Sequence, residues 1–237
     1  MKKQVLITGA NRGIGLETAR LFVSAGWKVI FAGRRLESLK QAAESVGTQP
    51  GEFECLEIDL ASPTSISEAA GALAKQELSL DALINNAGIF PEETEAPNAQ
   101  LRDAIKTNLL GPVALTRALQ PRLAKAPAPC VVMVSSALGS FASCAGPDAP
   151  LREKNAPAYQ ISKAALNMAA VCLSRELAPS QIKVNAISPG WCRTAMGGES
   201  APRSAADGAA AAFHAATLPP DGPTGSFLGD NGDVLPW

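Results

Sequence analysis

Short apolar runs recur along the chain, each closed by Gly, Asn, Asp or Ser and each followed by a stretch with helical spacing. The first run is Gln4–Thr8 (QVLIT), ended by Gly9. Unbroken Val, Leu and Ile runs of this length predict parallel strands buried on both faces. Residues 14–25 then offer Ile14, Ala19, Leu21, Phe22 and Ala25 to one helical face. The same alternation predicts further strands over residues 28–32, 53–58, 81–84, 130–134, 182–187 and 225–228. It predicts further helices over residues 36–46, 63–77, 101–119, 157–177 and 204–217. Glu54 and Glu57 interrupt the strand at 53–58, as at a sheet edge, and Ser62 followed by Pro63 reads as a helix cap and first turn. Strand and helix alternate without repeat or linker, which predicts one doubly wound α/β domain spanning residues 1–237.

In such a sheet ligands bind at the C-terminal ends of the strands, and the candidate chemistry falls there. The loop after the first strand carries Gly9, Asn11, Arg12, Gly13, Ile14 and Gly15. A strand, a glycine-rich loop and a helix bring backbone N–H groups and a positive helix end to a diphosphate. Gly9 permits the turn, Gly13 the approach of the ligand, and Gly15 close packing of helix on strand. This is the reading expected of a dinucleotide-binding (Rossmann) unit, although the spacing is G-x-x-x-G-x-G and not G-x-G-x-x-G.

The second strand ends in Gly33-Arg34-Arg35, where a carboxylate would select the ribose of NAD and an arginine the 2′-phosphate of NADP. No acid precedes Glu37, so Arg34 and Arg12 point to NADP(H) as cofactor. Asp59, followed by Leu60, can accept a bond from the adenine amino group. Asn85-Asn86-Ala87-Gly88 ends the fourth strand, and its small and turn-forming residues suit backbone lying against a ligand. Asn108 stands inside a predicted helix, where asparagine is unfavourable unless its amide has a task, such as opening the backbone to a water.

Composition narrows the choices. The chain has 237 residues, 46% hydrophobic and 18% charged, which is globular composition with a sizeable core. The net charge is −1 without a basic tract, against nucleic acid as a partner. No apolar run reaches the ~18 residues of a membrane span, and the chain opens on strand and loop instead of a signal peptide. Five cysteines without C-x-x-C spacing read as reduced thiols, so a cytoplasmic protein is expected. The single histidine, His214, excludes a multi-histidine metal site, and no metal is expected.

Tyr159 and Lys163 are four apart and share a helical face. A neighbouring ammonium is expected to lower the phenol pKa from its usual ~10, letting Tyr159 exchange a proton with a carbonyl or alcohol oxygen. Ser136, at the end of the preceding strand, can hydrogen-bond the same oxygen. Tyr159 is the only tyrosine in the chain.

Taken in order, TGANRGIG at residues 8–15, NNAG at 85–88, Asn108, VSS at 134–136, YQISK at 159–163 and PGWCRTAM at 189–196 resemble the short-chain dehydrogenase/reductase family. The resemblance implies a seven-stranded parallel sheet and hydride transfer with a nicotinamide cofactor. It implies Tyr159 as acid/base, Ser136 on the substrate oxygen, Lys163 on the nicotinamide ribose and Asn108 holding a relay water. Asn86, Pro189, Gly190, Cys192 and Thr194 would contact the nicotinamide end.

PGWxxTxMGG and the ending GPTGSFLGD…PW resemble the carbonyl-reductase branch, which implies reduction of an aldehyde, ketone or quinone with NADPH. A metabolite-specific reductase or alcohol dehydrogenase (oxoacyl, pterin or steroid) and a non-catalytic NADP(H) sensor are the other readings. Twenty-two residues separate Ser136 from Tyr159, against about a dozen in the common family pattern. This insertion, about residues 140–156, is expected near the site mouth and against tetramer formation, leaving a monomer or homodimer. Phe90, Leu138, Phe141, Cys144, Trp191 and Met196 are candidates for an apolar substrate pocket, and residues 191–206 for a lid.

Overall fold

The computed structural model describes residues 2–47, 53–76, 79–91 and 97–237. The end of the helix expected at Glu77 and the centre of the loop expected before residue 99 lie outside them. The chain runs β1 (Gln4–Thr8), α1 (Gly13–Ser24), β2 (Lys28–Gly33), α2 (Leu36–Ser45), β3 (Phe53–Glu57), α3 (Pro63–Ala74) and β4 (Ala82–Asn85). It continues through α4 (Pro97–Ile105), α5 (Gly111–Leu123), β5 (Cys130–Val134), α6 (Phe141–Cys144), α7 (Pro157–Glu176), β6 (Lys183–Ile187), α8 (Ala205–Ala216) and β7 (Phe227–Leu228).

The seven strands form one parallel sheet in the order β3-β2-β1-β4-β5-β6-β7. The chain moves outward from β1 to β3, then returns to β4 on the other side of β1. That reversal opens a crevice at the C-terminal ends of β1 and β4. Successive strand residues feed opposite faces. Leu6, Ile30 and Leu83 pack with α3, α5 and α7 through Leu73, Leu115 and Leu166. Val5, Ile7, Val29 and Phe31 pack with α1, α2 and α8 through Phe22, Leu39 and Ala212. In the edge strand β3 only Leu56 is buried.

Local chemistry fixes the helix ends. Ser62 Oγ accepts from Ser65 N at 3.2 Å, with Pro63 as first residue of α3. Ser204 and Asp207 cap α8 reciprocally: Asp207 N donates to Ser204 Oγ and Ser204 N to Asp207 Oδ2. The helix expected over residues 101–119 is longer and interrupted. Residues Lys106–Leu110 form a π-helical turn between α4 and α5. The π turn carries Asn108, fully buried, whose polar amide needs partners that a regular turn would not bring to it.

The alanine-rich α8 lets Phe22 of α1 approach closely. The Phe22 ring meets Trp27 and Phe213 edge to face, both with centroids 4.9 Å apart. Phe22→Ala leaves a cavity at a site with no exposure, and is expected to lower unfolding free energy by about 3–5 kcal/mol in urea titration.

Candidate active site

A cleft of about 960 Å³ lies over the C-terminal ends of the central strands. Its walls bring together most of the candidate residues, with ribose, diphosphate and substrate ends.

The diphosphate end is built on a clasp between β1 and β4. Thr8 Oγ1 donates to Ile84 O and accepts from the backbone N–H groups of Asn86 and Ala87, both at 3.0 Å. Asn86 Nδ2 donates back to Thr8 O at 2.8 Å. A Cβ at Gly15 would overlap the Gly9 carbonyl and lie 2.5 Å from Asn86 Nδ2, so the helix can start this close only at glycine. Gly13 has φ +56°, the left-handed region, and a side chain there would press on Thr194. Gly9, Asn11, Arg12, Gly13, Ile14 and Gly15 all line the cleft. Asn86, Ala87 and Gly88 line it too, but the Asn86 amide is committed to the clasp, leaving the loop's surface to a ligand.

The ribose end is lined by Arg12, Arg34, Asp59 and Leu60, with Gly33 at the end of β2. Both arginines are exposed, and neither forms an ion pair among the described residues. Asp59 turns its Oδ1 to Ala61 N at 2.9 Å. A glycine cradle, a positive helix start and two unpaired guanidiniums fit a phosphorylated dinucleotide.

The reacting end stands on β5 and α7. Tyr159 and Lys163 lie one turn apart on α7 and line the cleft with Ser136. Ser136 acts on the Tyr159 hydroxyl so as to favour its ionised form, and Lys163 Nζ sits 5.5 Å from the Tyr159 ring centroid. The expected lowering of the phenol pKa by Lys163 does not occur. Burial pushes Tyr159 up to about 12, with the Ser136 bond opposing it. Lys163, buried in the same wall, is pushed down to about 8 and donates to Val134 O at 2.8 Å. Desolvation dominates both shifts because the phenol and the ammonium are largely withdrawn from water in the cleft wall.

Three ties hold the Ser136 loop. Ser135 Oγ donates to Lys163 O at 3.3 Å, Ala137 N to Ser188 Oγ at 3.0 Å, and Asn167 Nδ2 to Gly139 O at 3.1 Å. The chain end adds a strap: Ser140 Oγ donates to Pro236 O and Ala142 N to Trp237 O, both at 2.9 Å. Trp237 in turn stacks on the core residue Phe227 at 5.4 Å.

Asn108 backs the cleft without lining it. Its Oδ1 accepts from Ile89 N at 2.8 Å, and its Nδ2 donates to Ile89 O and to Ser162 Oγ. The amide is thus spent on protein partners, and it flanks Gly88 together with Lys163 Nζ.

Phe90, Leu138, Trp191 and Met196, the candidates for a substrate pocket, line the cleft. Phe141 and Cys144 do not line it. Phe141 opens α6 and is 74% exposed, because Ser140 caps that helix and turns it away from the cleft. Leu151 and Lys154 of the insertion line the cleft instead, with Ile89 and Thr107. Residues 145–156 have no periodicity, so nothing in the sequence singled out these two. Pro189, Gly190, Cys192 and Thr194 lie along the lid side. The Cys192 thiol is buried and directed at Pro189 O at 3.3 Å. The segment read as a lid is folded on itself: Arg193 N donates to Arg203 O, its guanidinium reaches Ala201 O and Pro202 O, and Trp191 Nε1 donates to Gly197 O.

Among the described residues no helix is long and apolar enough to cross a membrane, and no group of three His, Cys, Asp or Glu could hold a metal ion.

Known proteins share this fold. The fold superposes on NADPH-bound carbonyl reductase from chicken fatty liver with a TM-score of 0.88 and 26% identity, covering 100% of this chain and 99% of that one. The carbonyl reductase Sniffer of Drosophila melanogaster gives 0.85 and 28%, over 100% of both chains. The short-chain dehydrogenase anuI of Penicillium roqueforti is 34% identical over 226 residues, 91% of this chain and 89% of that protein. Serine 3-dehydrogenase of Agrobacterium fabrum is 33% identical over 82% of this chain and 74% of its own length. Vertebrate dehydrogenase/reductase SDR family member 7B proteins match at 32–35% identity, and the chain spans about three-fifths of their length. The profile of the short chain dehydrogenases matches residues 3–205, and with these relatives it establishes that the chain belongs to the short-chain dehydrogenase/reductase family of oxidoreductases.

Proposed function

We propose that the protein is an NADPH-dependent carbonyl reductase, acting on an aldehyde, ketone or quinone. The observation that carries this reading is the one cleft that joins Ser136 and Tyr159 to Arg12 and Arg34, which have no ion pair among the described residues, at its far end. Bound NADPH supplies the hydride. Gly9, Gly13 and Gly15 present the backbone to its diphosphate, and Arg12 and Arg34 hold the 2′-phosphate. Lys163 holds the nicotinamide ribose, and the backbone around Pro189, Gly190 and Thr194 orients the nicotinamide end.

Ser136 and Tyr159 grip the substrate oxygen. A phenol with a raised pKa stays protonated at neutral pH, the form that donates a proton to the carbonyl oxygen as it gains negative charge. The proton is replaced through Lys163 and a water at the π turn beside Asn108. The same residues serve the reverse oxidation, so an alcohol dehydrogenase is the same site run backwards. Leu110, Ile161 and Met168 leave apolar surface exposed at the π turn and on α7, compatible with a homodimer as well as a monomer.

Tyr159→Phe removes the proton donor and keeps the ring. It is expected to lower kcat by roughly 10²–10⁴-fold in an assay of NADPH oxidation at saturating carbonyl, with NADPH affinity within a few-fold of wild type. Equal loss of cofactor binding would overturn the assigned role. Arg34→Ser removes a charge-assisted bond, and the NADPH:NADH ratio of kcat/KM is expected to fall roughly 10- to 100-fold. An unchanged ratio would remove Arg34 from cofactor selection.

The Lys163 shift gives a stability prediction for the cofactor-free protein. Its folded pKa of about 8 lies below the unfolded value of 10.5, so between these pH values the unfolded chain binds more protons and stability rises with pH. Tyr159 acts oppositely, from pH 10 to about 12. Between pH 8 and 9.5 the unfolding free energy of wild type relative to Lys163→Met is expected to rise by about 1–2 kcal/mol. A pH-independent difference in denaturant titrations would show that Lys163 keeps its ordinary pKa.

A further inference from the structure

The insertion between Ser136 and Tyr159 brings a cation to the substrate end. Lys154 lines the cleft mouth, its Nζ 5.5 Å from the centroid of the Trp191 ring. The indole is itself fixed, because Nε1 donates to Gly197 O at 2.8 Å. The ammonium therefore rests on a pinned aromatic face, a contact that orients it without consuming its hydrogen-bond donors. No carboxylate among the described residues forms an ion pair with Lys154. Its neighbour Glu153 is 94% exposed and approaches Arg152 at 3.9 Å. Among the described residues the one acid lining the cleft is Asp59, at the opposite, ribose end.

The rest of this end is apolar. Phe90 lies 4.7 Å from the Tyr159 ring, and Phe90, Trp191 and Met196 stay between 44% and 51% exposed while facing the cleft. Exposed side chains of this size around the reacting tyrosine mark where the body of a substrate is buried.

We propose that Lys154 is a specificity-determining residue. It selects apolar carbonyl compounds that carry an anionic group away from the reacting carbonyl, the hydrocarbon body lying between Phe90 and Trp191. This rests on the carbonyl-reductase reading and names its substrate class. In the reaction the carbonyl carbon gains the hydride of NADPH and the oxygen gains the proton of Tyr159, giving alcohol and NADP⁺. The anionic group is unchanged, so Lys154 acts through binding.

The test uses the full chain with 4-formylbenzoate and its neutral methyl ester. Both are assayed for NADPH oxidation and titrated calorimetrically into the protein with NADP⁺. Wild type is expected to favour the carboxylate about 3- to 10-fold in kcat/KM, through KM, with the preference shrinking in 0.5 M NaCl. Lys154→Met is expected to abolish the preference and leave methyl ester turnover within about twofold, and Lys154→Arg to retain it. Equal ratios in wild type and Lys154→Met would overturn the proposal, as would a variant that loses the ester to the same degree. If neither aldehyde is turned over, calorimetry separates the two readings. Carboxylate binding that is lost in Lys154→Met would keep the anion site and sink the reductase reading, and absent or unchanged binding would sink the anion site.

Discussion

Everything at the diphosphate end depends on one hydroxyl. Thr8 Oγ1 bonds Ile84 O of β4 and two N–H groups of the loop after it, while the Asn86 amide returns to the carbonyls of Thr8 and Gly9. A parallel sheet buried on both faces leaves unpaired backbone groups where its strands end, and those groups need partners. Here β1 and β4, neighbours in the sheet but separated by more than 70 residues, satisfy one another. The clasp leaves room for helix α1 only if position 15 has no side chain. Thr8, Asn86 and Gly15 thus form one packing unit, and the N–H groups presented to a ligand are those that the unit leaves over.

The reacting end is organised by desolvation. Burial raises the Tyr159 pKa and lowers that of Lys163, so both groups are held toward their neutral forms. A phenol kept neutral is a proton donor in waiting, and Ser136 supplies the counteracting bond. Sequence spacing alone suggested the opposite shift, since it shows that two groups share a face but not how much water remains around them.

The fold was legible because its signals are local and repeated: seven apolar runs, each ended by a breaker, with helical spacing between. The edge position of β3 follows from that pattern, whereas the strand order is set by the crossovers that the structure shows. The glycine loop and the Ser136, Tyr159 and Lys163 positions were legible because backbone geometry or a fixed helical offset dictates residue type there. The π turn was not, since one asparagine in a helical pattern does not reveal that Ile89 and Ser162 will meet it. Lys154 was not, because residues 145–156 follow no period and their path depends on packing against α7 and Trp191. Phe141 was misplaced for the same reason: hydrophobic character near Ser136 does not reveal which way a four-residue helix turns.

The strap formed by Pro236 and Trp237 bears on the order in which contacts form during folding. Ser140 meets Pro236 across 96 positions, Asn86 meets Thr8 across 78 and Asn108 meets Ser162 across 54. Contacts of such sequence separation carry a large loop-closure cost and form late compared with helices. The wall around Ser136 takes part of its support from Pro236 and Trp237, so it is secured after the helices have formed. The residues that face the cleft from β5 and α7 are therefore held by long-range packing and not by the local order of their own segments.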